Sequence, residues 1–308
     1  MHITVIGGTG HIGTYLVPAL VRDGYEVTVV SRGRQAPYCD DDAWASVTMV
    51  TCDREKAEAD GSFGKIIAEQ RPDGVVDLRL FTTHQARHLI DALDGQHLVV
   101  TGSIWSWGRT SMVPMTEDSP KIPLTDYDRG KAELEDFLLR GQSRVSAAMV
   151  HPSHISGPGW TAVNPAGNFD VEVYRALKRD GTARLPLDGM ALLQHVHAAD
   201  VAEVHRLALM RPEVSTGHAF TAVAEQSITL RAYATLLARH FGHEPQLSFL
   251  PWADFVAEVG QRNAVMTHDH ITRSPHFSLA KTREVLGFTP RFSEEETVLS
   301  SVDALEDI

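Results

Sequence analysis

The chain has 308 residues, 43% hydrophobic and 22% charged, enough to bury the core of one large domain or of a domain plus a smaller lobe. Its 28 basic and 40 acidic residues give a formal charge of −12 with no lysine- or arginine-rich block, which argues against a nucleic-acid partner. No apolar run reaches the roughly 18 residues of a membrane span, the start MHITVIGG does not read as a signal peptide, and the two unpatterned cysteines, Cys39 and Cys52, suit a reducing cytoplasm.

The first half alternates short β-rich runs with helical stretches. HITVIGG (2–8), YEVTVVS (25–31), VTMVTCD (47–53), GVVDLRL (74–80) and HLVVTGS (97–103) read as strands, and SRVSAAMVH (143–151) as a sixth. Near-continuous apolar strands separated by helices predict a parallel sheet covered on both faces, the doubly wound α/β nucleotide-binding (Rossmann) fold. Beyond Pro152 the texture changes. A Gly/Pro/Asn-rich loop (156–168) leads to helical 169–181, strand-like QHVHA (194–198) and helical 199–210, then strand HAFTAV (218–223) and helices over 228–242 and 277–287. Residues 1–151 are therefore expected to bind the nucleotide. Residues 152–308 are expected to add two strands to the sheet and a small C-terminal substrate-binding lobe over its edge. The 16 histidines are scattered, and pairs such as His195/His197 and His268/His270 lack a nearby third ligand, so no metal site is expected.

The strongest local signal is Gly7-Gly8-Thr9-Gly10-His11-Ile12-Gly13, which follows the first strand and opens a helix. Gly7 and Gly8 make the tight turn, Gly10 lets backbone approach a pyrophosphate, and Gly13 lets the helix pack on the strand. The helix N-terminus then offers free N–H groups to the phosphates of a dinucleotide. The second strand ends in Ser31-Arg32-Gly33-Arg34 with no acid before Asp40, so NADP is favoured over NAD, unless both arginines are solvated loop charges. Asp53, closing the third strand, meets the adenine amino group or serves as a turn residue. Pro152, closing the sixth, is counted with the cofactor-binding candidates.

Tyr127 and Lys131 stand four residues apart at the head of a helix, on one face. An ammonium beside the phenol would lower the tyrosine pKa from about 10 and make it a general acid/base, with the lysine also in reach of ribose hydroxyls. Ser103 ends the fifth strand at the sheet's C-terminal edge, placed to hydrogen-bond the same substrate oxygen or merely to cap a turn. Trp105, Trp107 and Trp160 surround the presumed pocket or belong to the core. His154, after the sixth strand, donates to a substrate oxygen or packs.

GGTGHIG (7–13), TGSIWSWG (101–108), YDRGK (127–131), HPSHISGPG (151–159), HVHAADVA (195–202) and LAKTREVLGFTPR (279–291) together resemble, in order and interval, the extended short-chain dehydrogenase/reductase superfamily, in its NAD-dependent epimerase/dehydratase group. The resemblance implies a Ser103–Tyr127–Lys131 triad, hydride transfer at a carbonyl or secondary alcohol of a small or sugar-like substrate, and a homodimer through the Tyr/Lys helix. The chain is an atypical member. Ser103-Ile104-Trp105 replaces the Thr-Asp-Glu of sugar-nucleotide dehydratases, which removes the acid and base of water elimination. No arginine stands near Leu193 to hold a diphosphate, and His154 replaces the usual asparagine, so a nucleotide-diphosphate sugar is disfavoured. The alternatives are an epimerase or isomerase with retained NAD, and a non-catalytic dinucleotide sensor or RNA-binding relative, which the Tyr/Lys pair and the acidic balance oppose.

Overall fold

A computed structural model describes residues 1–141, 144–306 and 308. In chain order, β1 (His2–Ile6), α1 (His11–Arg22), β2 (Glu26–Ser31) and β3 (Thr48–Thr51) come first. They are followed by α2 (Arg54–Ala59), α3 (Phe63–Glu69), β4 (Gly74–Asp77), α4 (Thr83–Asp91), β5 (His97–Thr101), α5 (Asp126–Leu139) and β6 (Ser146–Pro152). Ser143, where the sixth strand was expected to start, lies outside the described residues. The second half holds β7 (His154–Ser156), α6 (Val171–Asp180), β8 (Thr182–Pro186), β9 (Leu192–Leu193), β10 (His195–His197), α7 (Ala198–Met210) and α8 (Pro212–Ser215). It closes with β11 (Ala219–Ala222), β12 (Ile228–Thr229), α9 (Leu230–His240), β13 (Gln246–Leu250), α10 (Trp252–Arg273), α11 (Ala280–Leu286) and α12 (Glu294–Asp303).

Seven strands form one parallel sheet in the order β11-β6-β5-β4-β1-β2-β3. The strand order reverses between β1 and β4, and open α/β sheets bind ligands outside the carboxyl ends at such a point. Helices α1 and α7 cover one face through Leu16, Val17, Leu20, Val201 and Val204. On the other, Phe63, Ile67, Leu89, Leu134 and Leu138 dock α3, α4 and α5. Each of these side chains is nearly or fully buried and worth about 1.5–3 kcal/mol on transfer from water. A third core, with Tyr174, Leu177, Tyr233, Leu237 and Val298, belongs to the C-terminal lobe.

One strand of the second half joins the main sheet, where two were expected. β11 pairs β6, whereas β10 pairs β7 in a separate parallel ribbon. Pro152 ends β6, Ser153 N–H still donates to Ala222, and His154 N–H switches to Gln194 (3.0 Å). The backbone thus changes partner within two residues, and the ribbon extends past the sheet's C-terminal edge.

Candidate active site

The turn after β1 is built by its glycines. Gly7 adopts φ +81°, a left-handed conformation glycine alone takes at no steric cost, and its N–H donates to Val30 O (2.8 Å), tying β1 to β2. A Cβ on Gly13 would run into the Gly8 carbonyl, and one on Gly8 would come within 2.9 Å of Val29. These two glycines therefore close the helix onto the strands. A Cβ on Gly10 would meet no protein atom nearer than 3.5 Å and would instead fill the cavity that Gly10 lines. The first helical bond runs from Thr14 N–H to Gly10 O (2.9 Å), which leaves the N–H groups of His11, Ile12 and Gly13 as the free donors of α1. That cradle fits a dinucleotide pyrophosphate.

The cavity beside the loop measures about 280 Å³, and Gly7, Thr9, Gly10, Ser31 and Asp53 contribute to its wall. Arg32 and Arg34 stand on the same wall, both exposed. Arg34 lies 3.6 Å from Asp53, whereas Arg32 has no carboxylate partner among the described residues. Two further arginines, which sequence reasoning missed, reach the cavity. Arg54 is spent on Asp77 (2.7 Å) and Glu58 (2.6 Å). Arg79 packs its stem against Gly7 and holds its guanidinium 5.0 Å from the Phe81 ring centroid, without a described carboxylate partner. Gly8, His11, Ile12 and Gly13 build the turn without lining the cavity, and Pro152 is buried at the end of β6, also outside its wall.

Trp160 was expected beside the substrate. It stacks instead on His11 (centroids 3.6 Å apart) and meets Tyr38 edge-on, because Gly157 and Gly159, both at positive φ, fold the loop back over α1. Burial in this stack pushes the His11 imidazole down to about 4.

Helix α5 starts with a capping box. Thr125 Oγ1 accepts from Asp128 N–H (3.2 Å), and the Asp128 carboxylate accepts from Thr125 N–H (3.3 Å). This sets Tyr127 in the first turn, 46% exposed, between the rings of Phe81 and Trp105 (centroids 6.5 and 6.4 Å), with the Ser103 hydroxyl near enough to act on its phenol. Ser103 also caps the short 3-10 turn Ile104–Trp107 by accepting from Trp105 N–H (3.2 Å). Its own N–H donates to His151 Nδ1 (2.9 Å), and the other nitrogen of that imidazole lies 2.7 Å from Glu135. His151 and Lys121 together hold the Glu135 carboxyl down at about 2 against its burial.

The expected effect of Lys131 on Tyr127 is absent. Lys131 is 2% exposed, and its ammonium donates to the carbonyls of Leu80 (2.7 Å) and Thr101 (2.8 Å). Thr101 ends β5 and Leu80 follows β4 by three residues, so both carbonyls stand at the sheet's C-terminal edge, where they take up the Lys131 ammonium one turn inside α5. Burial lowers the ammonium to about 8. Burial likewise raises the Tyr127 phenol, the nearby Ser103 hydroxyl opposes the rise, Asp128 adds to it, and the opposing cation is Arg79.

Behind Trp105 lies a second cavity of about 370 Å³, closed by His154, Ile155, Val163, Phe169 and the helix α10 residues Met266, Asp269 and His270. Sequence reasoning named Trp105 and His154 but missed α10. A weak signal was present in the spacing of Ala264, Thr267 and His270, which with Phe255 and Arg273 are the buried positions of that helix. The His154 ring stands 5.7 Å from that of His195 and 5.1 Å from that of His270, and among the described residues no group of three His, Cys, Asp or Glu converges to hold a metal ion.

Compared with known proteins, residues 3–222 match the model of the NAD dependent epimerase/dehydratase family. The chain is 25% identical to the chloroplast stem-loop binding protein of 41 kDa b of Arabidopsis thaliana, covering 97% of this chain and 78% of that one. It is 28% identical to the 2'-dehydrokanamycin reductase of Streptomyces kanamyceticus over 139 residues, 45% of this chain and 38% of the reductase. Its fold matches the UDP-glucose 4-epimerase of Thermotoga maritima, solved with UDP-glucose, at a TM-score of 0.73 and 19% identity, covering 99% and 98% of the two chains.

Proposed function

As this chain belongs to the NAD dependent epimerase/dehydratase family, within the extended short-chain dehydrogenase/reductases, we propose that it is an NAD(P)-dependent oxidoreductase of a small carbonyl or secondary alcohol compound. The observation that carries this reading is a continuity. Phe81 lines the glycine-loop cavity and is in ring contact with Tyr127, so Tyr127, with Ser103 beside it, adjoins the end of the cofactor cleft.

A bound nicotinamide supplies or accepts the hydride. Tyr127 gives its phenolic proton to the substrate oxygen as the carbonyl carbon takes the hydride, and Ser103 hydrogen-bonds that same oxygen. In the reverse direction Tyr127 takes the proton back. Lys131 secures the strand ends that form the floor of the cleft, and Arg79 is the cation that favours the phenolate. Gly7, Thr9 and Gly10 with the first turn of α1 would hold the pyrophosphate, and Arg32 a 2'-phosphate, with Arg34 half-neutralised by Asp53.

We therefore expect NADPH to bind about tenfold more tightly than NADH. Titration of both against the protein, followed by nicotinamide fluorescence, tests this. Equal affinities, or a preference for NADH, would remove the Arg32 assignment.

The second reading is an epimerase that oxidises and re-reduces its substrate on retained NAD, favoured by the similarity in fold to a UDP-glucose 4-epimerase. The absorbance of the purified protein separates the two, since retained nicotinamide belongs to the epimerase. The relative named for stem-loop binding raises an RNA partner, which the charge of −12 opposes; a gel-shift assay with structured RNA is expected to show no complex. Among the described residues no helix is long and apolar enough to cross a membrane, and we place the enzyme in the cytoplasm. A homodimer through α5 would bring together the exposed Arg129, Glu133, Asp136 and Arg140, so its mass in solution should fall toward the monomer at high salt.

A further inference from the structure

We infer that the cavity behind Trp105 takes an uncharged, ring-bearing ketone or alcohol, one of whose oxygens is held by His154. The inference rests on the oxidoreductase reading above and names the substrate class of that same site.

His154 is 9% exposed, and among the described residues neither of its ring nitrogens has a hydrogen-bond partner. Buried polar atoms in native proteins are nearly always paired, so an orphaned imidazole on a cavity wall signals a missing partner that belongs in the cavity. The ring stays neutral near pH 7, because burial, the neighbouring rings of His270 and His195, and the Arg273 cation disfavour its charged form more than the Gln194 backbone favours it. A neutral imidazole offers one donor and one acceptor. It therefore suits a carbonyl or hydroxyl oxygen and is not a counter-ion for phosphate.

The rest of the wall agrees. Trp105, Phe169, Ile155, Val163 and Met266 present rings and methyl groups, and the single charged residue among them is an acid, Asp269. Arg273, which lies over the face of Trp105 (3.9 Å to the ring centroid), is paired with Asp128 (2.6 Å). A nucleoside diphosphate would enter here without a cation to meet it and with a carboxylate to repel it. A flat ring finds aromatic surface. Trp105 is in ring contact with both Tyr127 and His270, so a ligand packed on it is one side chain away from the acid/base.

The test uses the full chain saturated with NADP+, titrated by calorimetry with cyclohexanone, 1-tetralone and UDP-glucose. At least one ring ketone is expected to bind about tenfold or more tightly than UDP-glucose. His154→Phe, which keeps the ring volume and removes both nitrogens, is expected to weaken ketone binding about tenfold with cofactor affinity unchanged, and His154→Asn to restore part of the loss. Met266→Trp, which fills the cavity from helix α10, is expected to abolish ketone binding even if His154→Phe fails to fold.

Tighter binding of UDP-glucose, absence of binding by both ketones, or ketone affinity indifferent to Met266→Trp would overturn the inference. If neither NADP+ nor NAD+ binds, the oxidoreductase reading falls with it. If NADP+ binds while the ketones do not, the substrate class alone is wrong.

Discussion

Tyr127 owes its place to its neighbours more than to Lys131. The Thr125–Asp128 box fixes the helix start, Ser103 meets the phenol, and Phe81 and Trp105 flank the ring. Residue spacing made the places of Tyr127, Ser103 and the glycines in the fold legible, because each stands at or beside the end of an element. Spacing could not reveal that the carbonyls of Leu80 and Thr101 capture Lys131, since that depends on where two strands end side by side. Lys131→Met leaves both carbonyls buried without a donor, and urea titration should register a loss of about 1–3 kcal/mol; unchanged stability would mean that water replaces the ammonium. Arg79 was illegible for the same reason, being one exposed arginine among many. Arg79 opposes the rise of the Tyr127 phenol, so Arg79→Met should shift the alkaline limb of the pH–rate profile upward and weaken cofactor binding. A profile that stays in place would show that Arg79 acts on neither.

At the scale of elements, the strand–loop–helix unit of β1 and α1 followed directly from its glycines. Adding one methyl at the helix end of this unit, in Gly13→Ala, drives α1 off the Gly8 carbonyl. The expected cost is about 1–3 kcal/mol from overpacking, with loss of dinucleotide binding, read by melting and by cofactor titration. A variant with wild-type affinity would refute the tight closure. Helix α10 was the element least visible in sequence. Gly260 breaks it with φ +77°, and much of its length is exposed, so its apolar periodicity is weak. It nonetheless supplies Met266, Asp269 and His270 to the wall of the cavity behind Trp105, and the buried Arg273–Asp128 pair locks it to α5. Arg273→Met strands the Asp128 charge and should cost about 3–5 kcal/mol, whereas adding Asp128→Asn should recover part of it, because asparagine can still cap α5. Equal melting of single and double variants would show the pair to be uncoupled.

Across the whole molecule, the doubly wound sheet was legible because its strands are apolar on both faces, while the lobe, made of short ribbons and half-exposed helices, was not. What also escapes a sequence is how many histidines the fold holds neutral. Burial pushes His11, His197 and His205 down to about 4, and His195 to about 3. Their folded pKa values lie below the unfolded value of about 6.5, so the unfolded chain takes up more protons as pH falls below that value. Stability should therefore be full above about 6.5 and decline toward about 4, opposed only in part by Glu294, whose buried carboxyl is raised. Melting temperatures that stay level or rise over that window would contradict these assignments. The most direct test of the account is isotopic: NADPH carrying deuterium at the transferable position is mixed with a ring ketone and either wild-type or Tyr127→Phe protein. Deuterium should appear on the carbinol carbon of the alcohol, with transfer slowed about 10²–10⁴-fold in the variant and NADPH affinity unchanged. Product without deuterium, or a variant retaining more than about a tenth of the wild-type rate, would contradict it.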